Sequence, residues 1–247
     1  MTLEGKVALV TGAHRGIGAA CAAALAAEGA ALILADRLDC GETAAALGGK
    51  AATHQVDVAD ETSVQALFAA AKRANPRLDI LVHCAGIIQE KPLLETTAAD
   101  FDRVIAVNLR GSFLIGREAL RWMAASGSKP GNEARVILIA SDMSYYGREQ
   151  FSAYVASKHG VLGLARSWAK EFAPAILVNA ICPGPIDTAM LDAEHMSPEW
   201  REKELAIPLR RFGAAEEIGA FAAFLAGPGG RYFTGQGLGP NGGSIMP

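Results

Sequence analysis

Tyr154 and Lys158 stand four residues apart in the segment Tyr154-Val155-Ala156-Ser157-Lys158, a spacing that puts both side chains on one face of a helix. A phenol beside an ammonium is a proton-transfer device. A free tyrosine has a pKa of about 10, and a lysine charge about 4 Å away at an effective dielectric of ~20 is worth roughly 4 kcal/mol. That is enough to bring the phenol within reach of neutral pH. The same pair is also found as ordinary neighbours on helix surfaces, so its weight depends on what accompanies it.

A second constellation lies near the start of the chain. Thr11-Gly12-Ala13-His14-Arg15-Gly16-Ile17-Gly18 joins a β-rich apolar run to an Ala-rich helical one. Glycines in such a turn let backbone approach a pyrophosphate, and the helix that follows offers free N–H groups and the positive end of its dipole. The spacing is G-x-x-x-G-x-G. Asp36 ends the next apolar run, eighteen residues beyond Gly18, where a carboxylate accepts ribose hydroxyls and repels a 2′-phosphate. Arg15 and Arg37 pull the other way.

Elements that could position these residues alternate along the whole chain. Short apolar runs predict strands near Val7–Thr11, Ala31–Ala35, Ala52–Val56, Ile80–Cys84, Val136–Ala140, Ile176–Ile181 and Gly237–Pro240. Helical segments fall near Gly16–Glu28, Glu42–Leu47, Glu61–Asn75, Ala98–Ala125, Gln150–Glu171 and Ala215–Leu225. Strict alternation of this kind implies a parallel sheet with crossover helices. The expected fold is α/β, a single doubly wound Rossmann-type domain over residues 1–247 with about seven strands. Asp187–Pro208 breaks the rhythm after the sixth strand, and insertions at the carboxyl end of a parallel sheet overlie the ligand crevice. It is read as a substrate lid.

Composition narrows the partners. A formal net charge of −3 without any Lys/Arg run argues against nucleic acid or an anionic membrane and leaves a small molecule. No apolar run approaches bilayer length, and Met1-Thr2-Leu3-Glu4-Gly5-Lys6 lacks signal-peptide character, so the expected location is cytoplasmic. The four cysteines and five histidines show neither C-x-x-C nor H-E-x-x-H, and no metal site is indicated.

Thr11-Gly12 with Gly16 and Gly18, Asn108 in Val107-Asn108-Leu109, Ser141, and Tyr154 with Lys158 together resemble the short-chain dehydrogenase/reductase family. The resemblance spans essentially the whole chain. It implies hydride transfer between a nicotinamide ring and a carbinol or carbonyl carbon. It assigns catalytic roles to Asn108, Ser141, Tyr154 and Lys158. Asn108 would sit at a helix irregularity and hold a water that relays protons from Lys158 to solvent. Cofactor contacts would come from Gly12, Arg15, Gly16, Ile17, Gly18, Asp36, Arg37, Asp57, Val58, Ala85, Gly86, Tyr154 and Lys158. Pro183, Gly184, Ile186 and Thr188 would hold the carboxamide end.

Two departures from the family pattern stand out. His83-Cys84-Ala85-Gly86 replaces the usual Asn-Asn-Ala-Gly, so side-chain hydrogen bonding between the central strands is something His83 must supply or omit. The turn Phe172-Ala173-Pro174-Ala175 lacks the basic residue with which related reductases dock an acyl carrier protein.

Gln89, Met143, Ser144, Tyr146, Gln150, Phe151, Met190, His195 and Trp200 are the candidate substrate contacts. The favoured function is an NAD-dependent oxidoreductase acting on a secondary alcohol or its ketone, with NADP less favoured. An NADPH-dependent 3-oxoacyl-thioester reductase and a non-catalytic dinucleotide sensor are the alternatives. The long helices near Ala98–Ala125 and Gln150–Glu171 carry more apolar surface than one sheet face covers, and in the family such helices pair between subunits, so the resemblance implies a homotetramer, or at least a dimer.

Overall fold

Four strands, β1 (Val7–Thr11), β4 (Ile80–His83), β5 (Ala134–Ile139) and β6 (Ile176–Ile181), are buried along their full length. That is why they read as continuous apolar runs instead of alternating ones. With β2 (Ala31–Asp36), β3 (Ala52–Gln55) and β7 (Gly237–Leu238) they form one seven-stranded sheet, all parallel, in the order β3-β2-β1-β4-β5-β6-β7. This computed structural model describes residues 1–247. The fold is the Rossmann-type α/β architecture expected from the alternation of elements.

Successive residues of each strand point to opposite faces, and two apolar cores result. Val7 and Leu9 join a core with Phe68 of α3 (Glu61–Ala74), Leu114 and Met123 of α5 (Gly111–Ala125) and Val161 of α6 (Ser152–Phe172). Ala8 and Val10 join the other, with Leu25 of α1 (Gly16–Ala27), Ala44 of α2 (Gly41–Ala46) and Ile218 and Leu225 of α8 (Ala215–Ala226). The strand order reverses direction between β1 and β4, and a crevice opens at the carboxyl ends there.

Two segments depart from plain alternation, the first at the irregularity expected around Asn108. The helix expected over Ala98–Ala125 is three pieces: α4 (Ala98–Ile105), a π-helical turn over Ala106–Arg110, and α5. The irregularity surrounds Asn108, whose side chain turns inward. Asp187–Pro208 contains one helix, α7 (Pro198–Leu205), started by Pro198 and capped by the Ser197 hydroxyl, which accepts from the Trp200 N–H at 3.2 Å.

Candidate active site

The reversal point holds a cavity of about 840 Å³ whose walls come from the ends of β1, β2, β4, β5 and β6 and from the segment after β6. Gly12, Arg15, Gly16, Ile17, Gly18, Asp36, Arg37, Asp57, Val58, Ala85, Gly86, Pro183, Gly184, Ile186 and Thr188 all line it, as do Ser141, Tyr154 and Lys158. Sequence positions as far apart as 12 and 188 therefore share one hollow.

The glycine turn is built by close packing. Gly12 has φ +67°, and a β-carbon on it would stand 2.6 Å from the Ala85 nitrogen. A β-carbon on Gly18 would collide with the Gly12 carbonyl. Only glycine satisfies both positions. The first turn of α1 has no side-chain cap and no acidic residue, so its N–H groups face the cavity free to bind an anion. A dinucleotide's pyrophosphate fits this chemistry. Asp36 sits at the adjacent strand end, its Oδ2 accepting from the His14 N–H at 3.1 Å and its Oδ1 from the Leu38 N–H at 3.0 Å. These two bonds fix the carboxylate, whereas Arg15 and Arg37 are exposed.

Tyr154 and Lys158 lie on one face of α6 and are both buried. Their relation differs from the simple expectation. Lys158 Nζ donates to the Ile139 carbonyl at 2.8 Å and stands 5.7 Å from the centroid of the Tyr154 ring. Burial pushes the phenol up to about 12, opposed by a hydrogen bond with Ser141 and assisted by the Asp142 charge. Burial also lowers the Lys158 ammonium to about 8. In this arrangement no hydrogen bond joins the lysine to the phenol, its Nζ being engaged by the Ile139 carbonyl.

The Asn108 amide accepts from the Ile87 N–H at 2.8 Å and donates to the Ile87 carbonyl at 2.9 Å and to the Ser157 hydroxyl at 3.0 Å. It braces the strand-end turn beside Gly86 and makes no direct bond to Lys158. His83 supplies the inter-strand bond in place of asparagine. Its Nδ1 and the Thr11 hydroxyl are 2.7 Å apart, linking β4 to β1, while Nε2 is buried without a partner. Burial, then the Lys158 charge, depress its pKa to about 3.

Among the expected substrate contacts, Met143, Tyr146, Phe151, Met190, His195 and Trp200 line the cavity. Gln89, Ser144 and Gln150 do not. The Ser144 hydroxyl donates to the Lys158 carbonyl at 2.9 Å and braces α6. Gln150 takes a left-handed φ of +69° and accepts from the Lys91 N–H at 2.8 Å through its backbone. Gln89 lies between Ile88 and Glu90, which face the cavity while it does not.

Asp142, Arg148 and Glu204 are among the lining residues that escaped the sequence reading. Asp142 is buried beside Ser141. Arg148 and Glu204 form a 2.6 Å ion pair with side chains only 13% and 12% exposed, joining α7 to the turn before α6. Arg148 also covers the Trp200 ring at 4.8 Å and the Phe151 ring at 5.0 Å. A neighbour of Ser141 could have been suspected from adjacency alone. The ion pair could not, because its members have no spacing rule.

Comparison with known proteins matches this geometry. A family model described as enoyl-(acyl carrier protein) reductase matches residues 12–244. The 3-oxoacyl-(acyl-carrier-protein) reductase FabG of Thermotoga maritima is 36% identical over 253 residues, covering 100% of both chains. The chain belongs to the short-chain dehydrogenase/reductase family.

Among solved structures, a dehydrogenase/reductase from Sinorhizobium meliloti superposes with a TM-score of 0.88 at 36% identity, covering 99% of this chain and 97% of the other. A protein from Agrobacterium tumefaciens, solved with bound NADP and described as a candidate 2-deoxy-D-gluconate 3-dehydrogenase, gives 0.88 at 37% identity, covering 98% and 97%. As a family member the chain is an NAD(P)-dependent oxidoreductase acting on CH–OH or C=O groups. The sensor alternative is thereby set aside. No helix is long and apolar enough to cross a membrane.

Proposed function

We propose that this short-chain dehydrogenase/reductase interconverts a secondary alcohol, such as a polyol, sugar or other hydroxylated small molecule, and its ketone, with NAD as the preferred cofactor. The observation that carries the cofactor preference is Asp36, pinned by two backbone N–H groups at the end of β2. A fixed carboxylate there accepts ribose hydroxyls through charge-assisted bonds and repels a 2′-phosphate. Arg15 and Arg37 sit on flexible stems and swing to solvent at little cost.

The bound nicotinamide ring supplies the hydride acceptor or donor. Tyr154 is the residue that gives a proton to the substrate oxygen in reduction or takes one in oxidation. Ser141, which lines the same cavity as the phenol, holds that oxygen and steadies its changing charge. Lys158 holds the nicotinamide ribose and, once turned from Ile139 toward the phenol, lowers its pKa. Asn108 keeps the backbone around Gly86 in place, and in this reading holds the relay water. The remaining glycine-turn, Asp57-Val58 and Pro183–Thr188 positions hold the dinucleotide along the crevice.

The segment Asp187–Pro208 is a lid in this reading, since Met190, His195 and Trp200 form the cavity's outer wall. Exposed Phe101 and Phe113 on the α4–α5 face and Phe224 on α8 suit assembly into a homotetramer. Four free thiols suit a reducing compartment, and the cytoplasm is part of the same reading.

A second reading, an NADPH-dependent 3-oxoacyl-thioester reductase, is favoured by the full-length Thermotoga maritima relative and by the NADP-bound neighbour. Against it stands the turn Phe172-Ala173-Pro174-Ala175, which offers no basic residue for an acidic carrier. Steady-state kcat/KM with NAD(H) and NADP(H), over secondary alcohols, ketoses and a 3-oxoacyl thioester, separates the two. Greatest efficiency with NADPH and the thioester would replace the first reading by the second.

A further inference from the structure

The buried carboxylate beside Ser141 takes no part in the mechanism above, yet four groups converge on it. Asp142 Oδ1 accepts from the Ser141 hydroxyl at 3.0 Å and the Met143 N–H at 2.8 Å. Its Oδ2 accepts from the Ser244 hydroxyl at 2.7 Å and the Tyr146 phenol at 3.3 Å. Asp142 is 5% exposed, and no lysine or arginine pairs with it. Its charge is held by hydrogen bonds alone. Ser244 reaches it from the far end of the chain, where Asn241 Oδ1 fixes the turn by accepting from the Gly243 N–H at 2.9 Å.

A hydroxyl has one proton. With that proton given to Asp142, Ser141 has none left to donate to the Tyr154 phenol, and the donation that would lower the phenol is withheld. We infer that Asp142 is a positioning residue, which takes the Ser141 proton and so withholds from Tyr154 the donor that would favour its deprotonated form. Release of that proton, by rotation of Ser141 toward the substrate oxygen, then accompanies deprotonation of the tyrosine.

The consequence is a site poised as a proton donor at neutral pH and slow to become a base. This inference rests on the alcohol–ketone reading for its kinetic consequence, but not for the state of Tyr154 itself.

The charged and titratable groups around Tyr154 are few. Its own helix contributes Lys158, directed at Ile139, and β4 contributes His83, which burial keeps neutral. After β4 comes the Cys84 thiol, raised well above its usual range, first by its hydrogen bond with Cys21. The turn after β5 contributes Asp142 and Tyr146, whose own phenol burial drives upward. The lid side contributes Arg148 and Glu204, which neutralise each other, and the exposed His195. Asp142 is thus the unpaired negative charge of the group, and it holds the Ser141 proton.

Asp142→Asn keeps the shape and removes the charge. Two readouts follow: tyrosinate absorbance against pH, with Tyr154→Phe identifying the Tyr154 contribution, and the rising limb of kcat/KM against pH for alcohol oxidation. In Asp142→Asn both are expected to move to lower pH by about one unit, a tenfold gain in the fraction deprotonated on that limb. Ser244→Ala leaves the carboxylate charged with one donor fewer, so it pulls harder on the Ser141 proton. It is expected to move both readouts the other way, by less.

A merely structural role would move the two variants in the same direction, and that result overturns the inference, as does an unmoved titration in Asp142→Asn. If the tyrosinate titration shifts as expected but no alcohol or ketone is turned over, the alcohol–ketone reading falls and the positioning role stands. If alcohols are turned over with an unmoved limb, the positioning role falls alone.

Discussion

The two ends of the cavity are built on different principles. The end formed by β1, β2 and β4 is made of backbone: the Gly12 turn packed against Ala85, the uncapped first turn of α1, and a carboxylate pinned by two N–H groups. The outer end, between the turn before α6 and the segment after β6, is made of side chains: the Arg148–Glu204 pair, the Trp200 ring and the Met190 and His195 rim. Backbone geometry tolerates few residue types and therefore binds the invariant part of a ligand. Side-chain walls tolerate many and can be altered for different substrates. One fold can thus keep a common cofactor while its substrate changes.

The sharpest break between the two ends comes at their junction. Tyr154→Phe is expected to lower kcat by at least ~100-fold while leaving the fold and dinucleotide affinity in place, because the ring still fills its pocket against Phe151. The measurement is kcat beside a titration of cofactor binding. A near-native kcat would remove Tyr154 from the chemistry and leave both ends as a binding site only.

The backbone end should respond to a single charge in a way the outer end cannot. NAD is expected to be favoured over NADP by at least ~10-fold in kcat/KM, since a hydrogen bond to a charged group is worth ~1.5–3 kcal/mol. Asp36→Ala is expected to narrow or reverse that ratio, with Arg15 and Arg37 then unopposed. A wild type that prefers NADP, or a ratio unmoved by the substitution, would show that the arginines govern this end.

The backbone end was the more legible of the two. Alternation of apolar runs with helical ones gave the parallel sheet, and the glycines and Asp36 could be placed because a tight strand–turn–helix leaves few other residues possible. The outer end was not legible in the same way. Arg148 and Glu204 meet only because α7 folds back over the sheet. Gln89 and Gln150 look like lining residues from their neighbours, yet backbone direction turns them away. The orientation of Lys158 toward Ile139 was also beyond the sequence, since helical spacing fixes a face of α6 and not a rotamer.

His83 lets the rigidity of the backbone end be measured through pH. Its pKa falls from 6.5 to about 3 in the folded state, with burial the main cause. Below pH 6.5 the unfolded chain therefore binds a proton that the folded chain refuses, and stability falls as pH drops through that range. The slope from this group is about 1.4 kcal/mol per pH unit. His83→Asn, which keeps a polar partner for Thr11, is expected to flatten the loss of stability between pH 6 and 4 in denaturant titrations. An unchanged slope would mean that His83 is accessible to protons, and that the β1–β4 junction opens more readily than its packing implies.

The smallest expected effect lies at the outer end. Arg148→Ala removes the partner of a largely buried Glu204 and the cation over Trp200, so α7 should detach from the turn before α6. Because the pair touches the wall and not the reacting atoms, KM for the alcohol should rise with kcat nearly kept. Trp200 reports the same event. Its fluorescence should change when cofactor and substrate bind the wild type, and change less in Arg148→Ala, where the segment no longer closes in one position. Equal hydrogen-exchange protection of Asp187–Pro208 with and without ligands would sink the lid. The outer end would then be as fixed as the glycine turn, and the contrast between the two would be one of composition and not of motion.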